Sequence, residues 1–382
     1  MKRNIVKWMA AALAFMLVAT AFMPVWGAHA EEFDVSAPAA VLMDAESGTV
    51  LFEKNSHEQR PAASITKVMT LCLVFDAIGE GRFALEDMLS ASAHAASMGG
   101  SDIWLKEGEM MSVDDLLKAT VIMSANDAAV VLAEAVSGSE TTFVAAMNDK
   151  AKELGMNDTV FMNCNGLDED GHVTSAYDVA LMSRELASHP EIFNYTLTWM
   201  DSVRGGETQL VNTNKLIKTY NGITGLKTGT TGKAGSCISA TAKRGDLSLI
   251  AVVLGAADTG SRFRDAASLL DYGFANWTVT VPENPQLNEV AIAGGMQKTL
   301  KTAMRQPPQI LMKITEKSEI QTQVVIEEDL RAPVSKGDVI GYVAYMSGDK
   351  ELARSDVRAD EDVEAIGVRS TFLYLLCEFF RM

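Results

Sequence analysis

Basic residues are in short supply in this 382-residue chain. Lys and Arg number 33 against 50 Asp and Glu, a formal net charge of −17. Nucleic acid is therefore not expected as a partner, because phosphate contacts need clustered Lys and Arg. Cysteine is scarce too. Cys72, Cys164, Cys237 and Cys377 are irregularly spaced, and neither Cys-x-x-Cys nor His-Glu-x-x-His occurs. That pattern does not support a zinc site, and no metal or cofactor is expected. No Gly-x-Ser-x-Gly elbow is present, so a hydrolase built on a Ser-His-Asp triad lacks its usual frame. His57, His94, His172 and His189 stand in polar, turn-like stretches and read as solvated surface positions. Apolar residues are plentiful by contrast, at 48%. A packed core is expected, in a chain long enough for two or three domains.

The two ends differ from the middle. Lys2, Arg3 and Lys7 precede the apolar run "WMAAALAFMLVATAF", and "AHA" at Ala28 to Ala30 has the small-x-small form of a cleavage signal. Residues 1–30 read as a secretory signal peptide, with an uncleaved anchor helix as the alternative. Either way the remainder is expected outside the cytoplasm. At the other end, in "VRSTFLYLLCEFFRM", Phe372, Leu375, Leu376, Phe379 and Phe380 gather on one helical face. After an export signal, residues 366–382 read as an amphipathic helix lying in a membrane surface. Docking onto a protein surface is the alternative.

Between the ends, short strands alternate with helices. "AAVLMDAESGTVLFEKN" has the form of a hairpin around Glu46-Ser47-Gly48. "SITKVMTLCLVFDAIGEG" is apolar on most faces, the mark of a buried helix, with Cys72 as packing. Two helical patterns meet near Met123 to Asp127, and Ser175 is placed to cap a further helix. "GSCISATAKRGDLSLIAVVLGA" returns to strand. The order is mixed α/β with an inserted helical subdomain. From Asn276 to about residue 365 the pattern alternates with period two, interrupted by Gly, Pro and Asp, which predicts a small all-β domain.

Ser-x-x-Lys occurs twice. Ser347 and Lys350 flank a Gly-Asp turn signal and read as a hairpin tip. Ser64 and Lys67 instead begin the apolar helix, one turn apart on one face. A serine hydroxyl needs a base, and lysine serves only when neutral, which burial or a second cation promotes. Ser124-Ala125-Asn126 and Lys227-Thr228-Gly229 each occur once and offer further polar groups. Taken singly, Ser124 reads as a helix N-cap and the glycine-rich run as a turn.

The order Ser64-x-x-Lys67, Ser124-x-Asn126, Lys227-Thr228-Gly229 resembles that of the penicillin-recognising serine enzymes. "RPAASITKVMT", "MSANDAAVVLAEAVSG", "AKELGMNDTVFMNCNGLDEDGH" and "GLKTGTTGKAGSCISATAKR" resemble the D-alanyl-D-alanine carboxypeptidases, the low-molecular-weight penicillin-binding proteins. The resemblance covers nearly the whole chain. It implies a β-lactamase/transpeptidase-like catalytic domain over residues 31–275, with an antiparallel sheet and a helical subdomain, followed by the all-β domain at 276–365. It implies removal of the terminal D-alanine from peptidoglycan stem peptides through an acyl-enzyme. It also implies β-lactam antibiotics as covalent inhibitors and residence on the outer face of the cytoplasmic membrane.

By the same resemblance Ser64 is the nucleophile and Lys67 its base. Ser124 relays a proton to the leaving amine, and Asn126 holds the peptide amide. Lys227 and Thr228 receive the substrate carboxylate, Lys227 also helping to keep Lys67 neutral. The amides of Ser64 and Thr230, beside Gly229, form the oxyanion hole. Arg262 corresponds to an arginine that assists carboxylate binding, with a surface salt bridge as its alternative. Relatives often carry proline where this chain has Cys164, so a less rigid loop is expected there. They often carry an aromatic residue or His at the position of Thr230. Two rivals remain: a serine β-lactamase, whose hydrolytic glutamate "ELGMN" (Glu153 to Asn157) loosely imitates, and a non-catalytic penicillin-binding scaffold.

Overall fold

The computed structural model describes residues 33–304, 306–316, 320–368, 371–372 and 379–380. The expected signal peptide lies outside the described residues, as do Cys377 and most of the expected terminal helix.

A five-stranded, wholly antiparallel sheet organises the first domain. Strands β1 (Ala39–Asp44) and β2 (Val50–Lys54) form the expected hairpin. Strands β3 (Ile223–Thr231), β4 (Gly235–Arg244) and β5 (Leu247–Ala256) form a meander. The order is β2-β1-β5-β4-β3, so the last strand of the meander lies at the centre beside the first strand of the chain. Its run "LSLIAVVLGA" is almost entirely buried, as expected of a strand covered on both faces. Helix α5 (Thr259–Asn276) packs on β4 and β5; Asp258 caps it by accepting from the Ser261 amide at 2.9 Å.

The helical block covers the other side. Helix α1 (Lys67–Gly79) is buried over most of its surface, which explains why its apolar residues show no single stripe. The two patterns expected to meet near Met123 do so. Residues Val113–Lys118 run into a π-helical turn, Ala119–Met123, and α2 (Asn126–Ser137) follows a break at Ser124 and Ala125. Helix α3 (Glu140–Glu153) comes next, and α4 (Ala176–Ala187) opens on Ser175, whose Oγ accepts from the Asp178 amide at 3.2 Å. α4 packs against both α1 and β5, joining the helical block to the sheet.

The second domain is β-rich. A four-stranded antiparallel sheet runs in the order Thr302–Met304, Lys350–Ala359, Val339–Ser347, Gln321–Ile326. Its separate core includes Leu300, Ile340, Val343, Tyr345 and Val357. Ser347 pairs directly with Lys350 across a turn in which Gly348 has φ 58°, the hairpin tip expected from sequence. Among the described residues no single helix is long and apolar enough to cross a membrane.

Candidate active site

Ser64 stands in one 3₁₀ turn, Ala63–Thr66, that leads straight into α1. Ala63 just before it has φ 51°, a left-handed value costly for a residue with a side chain. Two glycines from distant segments hold the turn in place. A Cβ on Gly166 would lie 2.0 Å from the Ala63 carbonyl oxygen. A Cβ on Gly229 would lie 2.7 Å from the Ala62 oxygen and 2.9 Å from the Ser64 nitrogen. Glycine alone lets β3 run against the Ser64 backbone, which brings the Gly229–Thr230 peptide to the nucleophile.

Lys67 is fully buried one turn along. Its Nζ lies 2.5 Å from Asn126 Oδ1, 2.7 Å from the Asn165 carbonyl oxygen and 3.1 Å from Ser64 Oγ. A neutral amine has two N–H groups and one lone pair. With the two carbonyl-type acceptors taking the N–H groups, the lone pair is left for the Ser64 hydroxyl proton. Burial pushes Lys67 down to about 7, while the Asp102 and Asp127 carboxylates oppose that shift.

The second wall departs from the simplest sequence reading. Ser124 is not a helix N-cap; Ala125 occupies that position. Ser124 ends the π turn at φ 67°, and its Oγ accepts from Lys227 Nζ at 2.8 Å. Such turns and left-handed residues concentrate at functional sites. The Asn126 amide is held at both ends, Nδ2 donating to the Gly99 carbonyl at 2.7 Å while Oδ1 faces Lys67. The Asn126 backbone N–H donates to Ser101 O. The adjacent buried carboxylate of Asp127 accepts from the amides of Ile103 and Leu105, fastening residues 99–105 to the start of α2. Trp104 between those amides has φ 55° and is 73% exposed.

The third wall is the end of β3. Lys227 Nζ also donates to the Thr228 carbonyl at 3.0 Å, and Thr228 Oγ1 donates to Thr213 Oγ1 at 2.7 Å. Burial takes Lys227 well below the ordinary lysine range, and the positive charges of Lys67 and Arg262 add to that. Burial, one of the two causes expected from sequence, is likewise the leading cause at Lys67, and the Lys227 charge is not among the causes there. Arg262 is not in a surface salt bridge. It is buried, and Nη1 donates to Gly229 O at 2.9 Å, Thr230 Oγ1 at 2.8 Å and Cys237 O at 3.3 Å. It therefore braces the strand end carrying Gly229 and Thr230.

All nine residues singled out from sequence thus meet around Ser64 and Lys67 or support their walls. Others were missed. The Asn165 carbonyl is one; its only signal was its place in the "NCNG" run. Thr213 carried none. His172 is a correction, because it is buried rather than solvated: burial lowers its pKa. Its Nδ1 accepts from the Met162 amide, so Nε2 carries the proton and donates to Thr66 Oγ1 at 2.8 Å. Cys72, Cys164 and Cys237 are free and buried. Asp76, Glu185 and His189 come close enough to hold a metal, but Lys150 Nζ already lies 2.7 Å from Glu185 and 3.4 Å from Asp76.

Residues 26–258 match the family model for D-alanyl-D-alanine carboxypeptidase, and residues 278–365 match the model for the C-terminal domain of penicillin-binding protein 5. The chain belongs to the D-alanyl-D-alanine carboxypeptidase family. It is 38% identical over 373 residues to the D-alanyl-D-alanine carboxypeptidase DacF of Bacillus subtilis, covering 96% of each chain. It resembles the crystal structure of penicillin-binding protein 5 from Haemophilus influenzae, with a TM-score of 0.75 and 29% identity, covering 87% of this chain and 98% of that one. It also resembles penicillin-binding protein D2 from Listeria monocytogenes in its ampicillin-bound form, with a TM-score of 0.58 and 35% identity, over 63% of this chain and 98% of that one. The molecule is thus a serine-type D-alanyl-D-alanine carboxypeptidase and a penicillin-binding protein. The β-lactamase and scaffold readings are not favoured. In this carboxypeptidase Glu153 is the last residue of α3, is largely exposed and pairs with Lys150. "ELGMN" is a helix end with Gly155 at φ 75°.

Proposed function

We propose that Ser64 is the acylated nucleophile and Lys67 its general base. The observation carrying this is the arrangement at Lys67 Nζ, whose two other neighbours are acceptors. Neutral Lys67 takes the hydroxyl proton as Ser64 Oγ attacks the carbonyl between two D-alanines. The amides of Ser64 and Thr230 receive the developing oxyanion. The proton passes through Ser124 to the departing nitrogen, D-alanine leaves, and an ester remains on Ser64. Water then cleaves that ester with Lys67 again as base, consuming one water per D-alanine released. Lys227 and Thr228 receive the terminal carboxylate, whose negative charge restores the ammonium form of Lys227. Arg262 acts by holding the end of β3, and Asn126 orients Lys67 and accepts a contact from the peptide.

The substrate is a peptidoglycan stem peptide ending in D-Ala-D-Ala, and β-lactams acylate the same serine. The chain works outside the cytoplasm, with residues 1–30 as its export signal and the terminal segment lying in the outer face of the membrane. Phe372, Phe379 and Phe380 are 63%, 77% and 78% exposed, apolar surface suited to a lipid interface. Mass spectrometry of free D-alanine released from a pentapeptide tests the reading. Wild type releases it and Ser64→Ala does not; equal release by both removes Ser64 from the mechanism. Vesicle flotation of the full chain with and without residues 366–382 tests the anchor, and equal flotation refutes it.

A further inference from the structure

The lysine is held partly by a main-chain carbonyl, so something must hold that carbonyl. Asn165 lies in the loop 162–167, almost 100 residues from Lys67. Its neighbour is Cys164, and a cysteine has a backbone N–H that a proline lacks. In this chain that N–H donates to Glu140 Oε1 at 2.9 Å. Burial and the Glu140 charge keep the Cys164 thiol protonated. The Cys164 carbonyl accepts from Thr70 Oγ1 on α1 at 2.5 Å. Cys164 is thereby fixed on both sides of its peptide, and the next carbonyl, that of Asn165, meets Lys67 Nζ at 2.7 Å.

Glu140 is placed for this. It is the first residue of α3, next to the N-cap Ser139, where the free amides of the helix start favour a carboxylate. Its second oxygen lies 2.5 Å from His94 Nε2, and its side chain is only 15% exposed. Burial works against its charge, but the Cys164 and His94 contacts outweigh burial and hold its carboxyl below the usual range. A largely buried carboxylate with one oxygen committed to a loop amide is a fixed strut rather than a solvated surface acid.

We propose that Glu140 is a positioning residue for the reaction: through Cys164 it sets the Asn165 carbonyl against Lys67, and so aims the lysine lone pair at Ser64. This rests on the assignment of Lys67 as base to Ser64. In place of the rigidity that a proline ring would supply at position 164, the chain uses a charge-assisted hydrogen bond from another helix.

The test measures acylation of the full chain by a fluorescent penicillin, separating the acylation rate constant from the affinity of the initial non-covalent complex. Glu140→Ala is expected to lower the rate constant about 10- to 100-fold, the range for small misplacement of a reacting group, and to leave the initial affinity unchanged. Glu140→Gln keeps an oxygen acceptor and is expected to restore most of the rate. Glu140→Asp, a mild change that withdraws the carboxylate from Cys164, supplies an intermediate loss if the alanine variant does not fold. The decisive comparison is with Cys164→Pro, which removes the N–H and fixes φ. In that background all three Glu140 substitutions are expected to cost little. An equal cost in the wild-type and Cys164→Pro backgrounds, or full acylation in folded Glu140→Ala, overturns the proposal. Ser64→Ala is the control for the underlying reading: labelling that persists there refutes the nucleophile, whereas labelling lost there with Glu140 variants at full rate refutes only the strut.

Discussion

Ser64-Ile65-Thr66-Lys67 and Ser347-Gly348-Asp349-Lys350 share a motif and almost nothing else. In the first, Lys67 is fully buried and its amine has three neighbours from three segments. In the second, the serine and lysine face each other across an exposed hairpin tip in the β domain. The difference is one of surroundings. Burial lowers the lysine pKa at the first site, whereas the second lysine stands in solvent. A serine and a lysine three residues apart are therefore not a chemical unit. The unit includes whatever excludes water and whatever takes up the remaining N–H groups of the lysine.

The comparison breaks most sharply at the lysines themselves. Lys67→Ala is expected to lower penicillin acylation by about 10²- to 10⁴-fold, the usual contribution of a general base, while Lys350→Ala leaves both acylation and melting temperature unchanged. A comparable loss from Lys350→Ala would show that the β-domain pair matters. Next in size is Gly229→Ala. Its new methyl would meet the Ala62 oxygen and the Ser64 nitrogen at under 3.0 Å, and about a 100-fold loss of acylation is expected from the displaced turn. Gly348→Ala in the other tip has nothing within 4 Å of its added Cβ, though φ 58° strains it. It should cost only about 1 kcal/mol in denaturant unfolding and nothing in acylation.

Acidity sharpens the same contrast. Lys67 is the acceptor of the proton, so acylation is expected to be flat above about pH 7 and to fall about tenfold per unit below it. A rate that stays constant down to pH 5 would assign the base elsewhere. His172 is also buried with a lowered pKa. Because its folded pKa lies below the unfolded one, the stability it contributes is complete above about pH 6.5 and is lost as pH falls through the folded value. His172→Ala is expected to cost about 1–3 kcal/mol near neutrality, for a buried Thr66 hydroxyl left without its donor. It should also flatten the acid side of the stability curve; calorimetry between pH 5 and 8 reads both.

Much of this was legible in the chain, for reasons specific to particular residues. Ser175 marks a helix start through local chemistry, and α1 announces its burial by having no polar face. Ser64, Lys67, Ser124, Asn126 and Lys227 declare themselves as side chains in short motifs. The illegible part consists of contacts that no local rule encodes. Ser124 looked like a cap because its left-handed backbone depends on the preceding π turn. His172 looked solvated because Thr66, 106 residues away, is what buries its proton. Arg262 could be read either way until the carbonyls of Gly229 and Cys237 were seen to converge on it.

One of those contacts changes how the site can be altered at all. The acceptor offered to Lys67 by Asn165 belongs to the peptide backbone, and every amino acid has the same carbonyl. Side-chain scanning across residues 163–166 would thus report the roles of the asparagine amides and the glycine and pass over this group entirely. Selection faces the same blindness: no codon change deletes the carbonyl, so inheritance can tune it only from a distance, through the residues that decide where the loop rests. Replacing the peptide bond after Asn165 by an ester weakens that carbonyl as an acceptor without changing a side chain, and it also removes the Gly166 N–H that donates to Asn163 Oδ1 at 2.8 Å.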